Sequence, residues 1–178
     1  MGVIPVEAKA GDFVLVHVSG QGGRVIQALQ SLNGDGFADY EHVALYVGEG
    51  VLVEMASGGI QLAKTGKYVN IPTRWSTGHF VLPSYVRQVI VDAAQAYVSL
   101  HVRYGWEDYA ALALHHLGLG TAMLRQSMAN TKRMICSQFV DQCYADADVH
   151  LFRDNRWPGY VTPGDLNQLL DNYQDNEA

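Results

Sequence analysis

Two short apolar runs, His42-Val43-Ala44-Leu45-Tyr46-Val47 and Val51-Leu52-Val53-Glu54-Met55, are separated only by Gly48-Glu49-Gly50. Runs of this length, rich in strand-forming residues and split by a glycine-containing turn, read as a β-hairpin. No other feature constrains the chain as strongly. Strand side chains alternate between two faces, so a single register decides which residues can meet. A three-residue loop pairs Val47 with Val51, sets Ala44 opposite Glu54 and sets His42 opposite Ala56. His42 and Glu54 then share a face as diagonal neighbours, about 7–8 Å apart at Cα, a gap that long side chains span. A two-residue loop would turn Glu54 to the other face. A carboxylate in an apolar strand needs a partner if it is buried; the alternative is a face open to water.

The hairpin sits in a block of strand signals. Phe13-Val14-Leu15-Val16-His17-Val18 reads as a largely buried strand opened by Gly11-Asp12. Gly59–Leu62 and His79–Leu82 are further strand candidates, with a polar loop containing Pro72 between them. Arg24–Leu32 reads as a short amphipathic helix stopped by Asn33-Gly34. The period then becomes helical. Ser84 is placed as the cap of a helix whose stripe is Val86, Val89, Ile90, Ala93, Ala94, Tyr97 and Val98, ending near Leu100. Tyr104-Gly105-Trp106 reads as irregular, Asp108–Leu117 as a second helix, and Thr121–Arg133 has no clear period. Thr162-Pro163-Gly164-Asp165 has the order of a helix start: cap, proline at the first position, acid in the first turn. Strands early and helices late give an α+β class, here an antiparallel sheet or half-barrel packed against helices.

The chain has 178 residues, enough for one well-buried domain and short for two. We therefore expect a single domain over 1–178, with an acidic tail from Asp171 that frays. The net charge of −6 without a basic block excludes nucleic acid as an expected partner. The N-terminal residues lack the apolar core of a signal peptide, the myristoylation pattern fails after Gly2, and no stretch suits a membrane span. The expectation is a soluble, cytoplasmic protein unless it is exported by another route.

There are two cysteines. Cys136 stands where an apolar run turns helical, and Phe139, Val140, Cys143, Tyr144 and Ala147 follow at helical spacing. A thiol in a first turn feels the positive end of the helix dipole, which favours thiolate, and Lys132 and Arg133 upstream push the same way. The plain alternative is an inert buried cysteine. Seven residues of one helix separate Cys136 from Cys143 by about 10 Å of rise, too far for a disulfide. A cysteine nucleophile needs a base and a group to orient it. Of the seven histidines, His42 is distinguished by Glu54; His115 and His116 read as surface or packing residues. Tyr104 offers a phenol to an oxyanion, or is a packed aromatic. There is no HExxH and no zinc spacing around the cysteines, so neither metal nor cofactor is expected.

Together these segments resemble the circularly permuted branch of the NlpC-type, papain-like cysteine hydrolases, which includes YiiX-like proteins and the lecithin retinol acyltransferase group. Gly11-Asp12-Phe13-Val14-Leu15 is similar to the opening strand. Glu41-His42-Val43-Ala44-Leu45-Tyr46-Val47-Gly48 is similar to the histidine strand. Val53-Glu54-Met55-Ala56 matches the strand of the third polar residue, and Ile135-Cys136-Ser137-Gln138-Phe139-Val140 the nucleophile helix. Tyr104-Gly105-Trp106 and Thr162-Pro163-Gly164-Asp165-Leu166 match smaller elements. Histidine before cysteine is the permuted order. The resemblance implies a papain-like fold, with Cys136 as nucleophile at a helix N-terminus, His42 as base, Glu54 as its orienter, and Tyr104 with the Cys136 N–H as oxyanion donors. It implies a peptide, peptidoglycan fragment or acyl lipid as substrate. An amidase or peptidase, a lipid acyltransferase or thioesterase, and an idle peptide- or lipid-binding domain all stay open. The Ala-, Leu- and Gly-rich segment between Tyr104 and Cys136 departs from the pattern and is expected to form a lid or cleft wall.

Overall fold

A computed structural model describes residues 4–18, 39–105, 133–154 and 161–174. The expected helices at Arg24–Leu32 and Asp108–Leu117, most of the unassigned stretch before Cys136 and the expected lid lie outside the described residues. Within them the architecture is α+β: five antiparallel strands and three helices, with a two-stranded parallel pair beside them.

The sheet comprises β1 (Phe13–Val16), β2 (His42–Gly48), β3 (Val51–Ala56), β4 (Gly59–Lys64) and β5 (Thr73–Trp75), in the order β4-β3-β2-β1-β5. Both of its faces are covered. Phe13, Leu15, Val43, Leu45, Val53 and Met55 point to the helix side, while Val14, Val16, Ala44, Tyr46 and Leu52 point the other way, under Tyr68, Ile71 and Trp75. This explains why β1 is buried along its whole length and why its sequence shows no polar alternation.

The hairpin register is Ala44↔Glu54, Leu45↔Val53 and Tyr46↔Leu52, as the alternation argument requires. The loop differs from the expected one. Gly48, not Val47, faces Val51, and the register shifts between Tyr46 and Gly48. Glu49 and Gly50 make a two-residue turn with φ of +52° and +71°, the positive pair that such turns demand. The two-residue loop alone would have reversed the face of Glu54; the extra residue of the bulge restores it. His42 is paired with Val16 of β1, and the pairing of β2 with β3 begins only at Ala44, so the expected His42–Ala56 pair does not form.

The fifth strand is Thr73–Trp75, which the sequence places in a polar loop. It pairs with β1 (Val14↔Trp75, Val16↔Thr73), and that partner is visible only once the sheet is assembled. His79–Leu82, the expected strand, is a turn and an extended lead into helix α1 (Ser84–Ser99). Ser84 is the first helical residue, not the cap; Pro83 holds the cap position. Ile90, Val91 and Ala94 form the buried stripe of α1, whereas Val89 is exposed. Arg103–Tyr104 (β6) pairs in parallel with Arg133–Met134 (β7), where the sequence suggests only irregular chain.

Helix α2 (Cys136–Asp146) packs its Phe139, Val140, Cys143 and Tyr144 into the helix-side core. Helix α3 (Pro163–Gln174) opens as expected: the Thr162 hydroxyl accepts from the Asp165 N–H at 3.0 Å, and the Asp165 carboxylate accepts from the Thr162 N–H at 2.9 Å. Asp171 belongs to this helix and pairs with Arg74 at 2.6 Å; the tail beyond Gln174 lies outside the described residues. Among the described residues no helix is long and apolar enough to cross a membrane.

Candidate active site

The site gathers at the end of the sheet where β2 begins. Cys136 is the first residue of α2, and Ile135 stands before it in extended conformation. The start of α2 is anchored twice. The Gln138 carboxamide accepts from the Ile135 N–H at 3.2 Å, and the Ser137 hydroxyl donates to the Val161 carbonyl at 2.7 Å. β7 ties Met134, two residues upstream of the thiol, to Tyr104. The sulfur's place is therefore set by a helix cap, a strand pair and a link to the chain ahead of α3.

Strand alternation puts His42 and Glu54 on the face away from the helices, while Cys136 packs on the helix side. They meet because His42 is the first residue of its strand. Its imidazole hydrogen-bonds Cys136 on one side, and its Nε2 lies 3.2 Å from Glu54 Oε2 on the other. With Nε2 committed to Glu54, Nδ1 is the ring nitrogen left for the sulfur. Three residues separated by up to 94 positions thus form one line, Cys136–His42–Glu54.

Glu54 is fully buried, which overturns the open-face alternative. Both of its oxygens are occupied. Oε1 accepts from Gln61 Nε2 at 2.7 Å and from the Lys67 ammonium. Oε2 accepts from the Tyr68 hydroxyl and faces His42. Burial alone would raise its pKa; the bonds to His42, Lys67, Tyr68 and Gln61 outweigh burial and hold it well below the carboxylate range. The same contest runs at His42. Burial, the largest influence, disfavours its charge, yet the bonds to Cys136 and Glu54 win, and the pKa is pushed up to about 9. At Tyr68 the influences all act together: burial, then its bond to Glu54 and the negative charges of Glu54 and Cys136, hold the phenol protonated. The imidazole thus stands between the sulfur of Cys136 and a charged carboxylate.

Cys136, His42 and Glu54, all singled out in the sequence, lie together, whereas Gln61, Lys67 and Tyr68 around them were not singled out. Gln61 was within reach, since the β3–β4 pairing Glu54↔Gln61 follows from a short turn after Ala56. Lys67 and Tyr68 sit in a 3-10 turn (Thr65–Tyr68) inside a polar loop, and nothing local marks them. The fourth expected residue, Tyr104, enters β6 by its backbone; its side chain lies outside the described residues, as does that of Arg133 and all of Lys132. The second cysteine, Cys143, is buried in the core with its pKa raised by burial and then by Asp146, so it is a packing thiol. His17, His79 and His101 bond backbone carbonyls and stand apart from the line. His115 and His116 lie outside the described residues. Among the described residues no cluster of three His, Cys, Asp or Glu side chains can hold a metal ion.

No protein-family model matches the chain, and no curated protein matches its sequence. An acceptor-only carboxylate, an imidazole and a thiol in one hydrogen-bonded row can hold a proton on the imidazole and release it to a neighbouring atom. Neither cysteine is engaged in a disulfide.

Proposed function

We propose that the chain is a cysteine hydrolase of the permuted papain-like kind, cleaving an amide or peptide bond through Cys136, His42 and Glu54. The observation that carries the reading is the hydrogen-bonded row from a helix-start thiol through His42 to a fully buried, charged carboxylate. In this scheme the Cys136 thiolate attacks the carbonyl carbon, and the negative charge moves to the carbonyl oxygen. The Cys136 N–H, at the positive end of α2, is the donor toward that oxygen. The His42 imidazolium gives its proton to the departing amine as the C–N bond breaks, leaving a thioester on Cys136. Neutral His42 then takes a proton from water, the hydroxide adds to the thioester, and the acid leaves as the thiolate re-forms. Glu54 fixes the ring and offsets its charge throughout.

The same row also serves transfer to an acceptor other than water, so a lipid acyltransferase differs in its second substrate and not in these residues. One observation favours a catalytically idle binding domain as the second reading: Cys136 has no exposed surface, and the His42 side chain is only 14 % exposed. Labelling with a thiol-directed electrophile separates these. An enzyme labels at Cys136 faster than at Cys143 and loses that advantage in His42→Ala; equal, slow labelling of both leaves the binding domain. Incubation with peptidoglycan fragments and, separately, with phospholipid, followed by product analysis, divides hydrolase from acyltransferase.

A further inference from the structure

Glu54 has more partners than the orientation of one imidazole requires. Its Oε2 serves His42 and Tyr68; its Oε1 is held by Gln61 and by the only ammonium at the site among the described residues. That ammonium, Lys67 Nζ, also lies over the Tyr68 ring, 5.1 Å from its centroid. The Tyr68 ring in turn stands 6.3 Å from that of His42. We infer that Lys67 is a positioning residue for the Cys136–His42 pair, acting through Glu54, and this inference rests on the triad reading above. Seated on Oε1 and against the Tyr68 ring, the ammonium keeps the carboxylate ionised and its second oxygen turned to the imidazole.

The charges make the physical case. Cys136 on α2, His42 on β2, Glu54 on β3 and Lys67 on the 3-10 turn alternate in sign, and Tyr68 and Gln61 add neutral donors. Among the described residues these are the groups recorded in hydrogen bonds with Glu54 and His42. With Lys67 the thiolate form of the row is neutral overall; without it the row carries one surplus negative charge in a buried place. Lys67 is 46 % exposed on its side chain, so an ordinary surface ion pair would count for little. Its partner here has no exposed surface at all.

Removing the ammonium should therefore raise the pH at which Cys136 loses its proton. The test follows alkylation of Cys136 by iodoacetamide against pH in the intact protein, resolved from Cys143 by mass spectrometry. In Lys67→Gln the acid limb is expected to move up by on the order of half a pH unit, while Lys67→Arg keeps the limb of the unaltered protein. An unmoved limb in folded Lys67→Gln overturns the inference, because a purely structural lysine would alter stability without moving a titration. Failure of the triad reads differently: His42→Ala would then leave the limb in place as well. Should Lys67→Gln not fold, carboxyl NMR of Glu54 in the unaltered protein decides. Glu54 is expected to stay ionised through pH 4, and titration near its ordinary value of about 4.3 overturns the inference.

Discussion

Glu54 is an ionised acid with no surface, and its cost is met by four donors from three separate parts of the chain. Its neighbour His42 is a base held in its acid form. Glu54→Gln keeps the shape but withdraws the charge that supports the imidazolium. Turnover is expected to fall by between about 10-fold and 10⁴-fold without vanishing, since an orienter matters less than the nucleophile or base. Steady-state rates on a cleaved amide substrate check this, and unchanged turnover would take Glu54 out of the row. The pKa shifts also bear on stability. The folded pKa of His42 is raised from 6.5 to about 9, so its contribution is full below 6.5 and is lost as pH rises through 9. That of Glu54 is depressed, so its contribution is present above its ordinary value and is lost only as pH falls through the lower folded one. Denaturant midpoints should thus decline from neutral pH toward pH 9 and beyond, and His42→Asn should flatten that decline.

At the scale of elements, each partner of the row is placed by a local device. Helix α2 begins at Cys136 because Ile135 is extended and Gln138 reaches back to its N–H. The β2–β3 register carries Glu54 to the face of His42 because a bulge compensates a tight turn. Gly59 is a less obvious device. Its φ is +109°, and a Cβ there would sit 2.9 Å from the Val102 carbonyl oxygen, which also accepts from the Ile60 N–H. Gly59→Ala is expected to destabilise the fold by more than about 1 kcal/mol, through backbone strain and a contact that only backbone movement relieves. Urea unfolding measures it, and a neutral result would mean that the β3–β4 turn tolerates another shape. The hairpin, the helix that begins at Cys136 and the Thr162 cap were legible because their signals are short-range: alternation, helical period and a capping order. The loop count was not, since a bulge leaves no mark in composition. Nor was β5, whose three residues become a strand only by lying beside β1.

Across the whole molecule, α2 joins two ends of different character. Its first residue meets the polar row; near its last turn Tyr144 donates to the Gly11 carbonyl at 2.5 Å, beside the buried pair of Arg87 and Asp12. Arg87 donates to Asp12 Oδ1 at 2.7 Å and to the Phe80 carbonyl at 3.0 Å, so it pins α1 to the start of β1 and to the chain before the helix. Breaking a buried pair leaves a charge unpaid. Arg87→Met should lower stability by about 3 kcal/mol or more. Eight residues of α2, about 12 Å of helix, separate Tyr144 from Cys136, so the labelling rate of Cys136 should hold in conditions where the variant is folded. A parallel loss of labelling would show that the two ends are coupled through α2.

Taken alone, the sequence determined the α+β class, the two strands of the hairpin and a cysteine at a helix start, because all three follow from periodicity within a few residues of chain; the shared face of His42 and Glu54 also needed the bulge. Tertiary structure decided that the imidazole reaches the sulfur around the end of the sheet, and that Gln61, Lys67 and Tyr68 close on the buried carboxylate. Those contacts join residues that are far apart in the chain or lie in an unmarked loop, and a hydrogen bond depends on position in space, which local pattern does not encode.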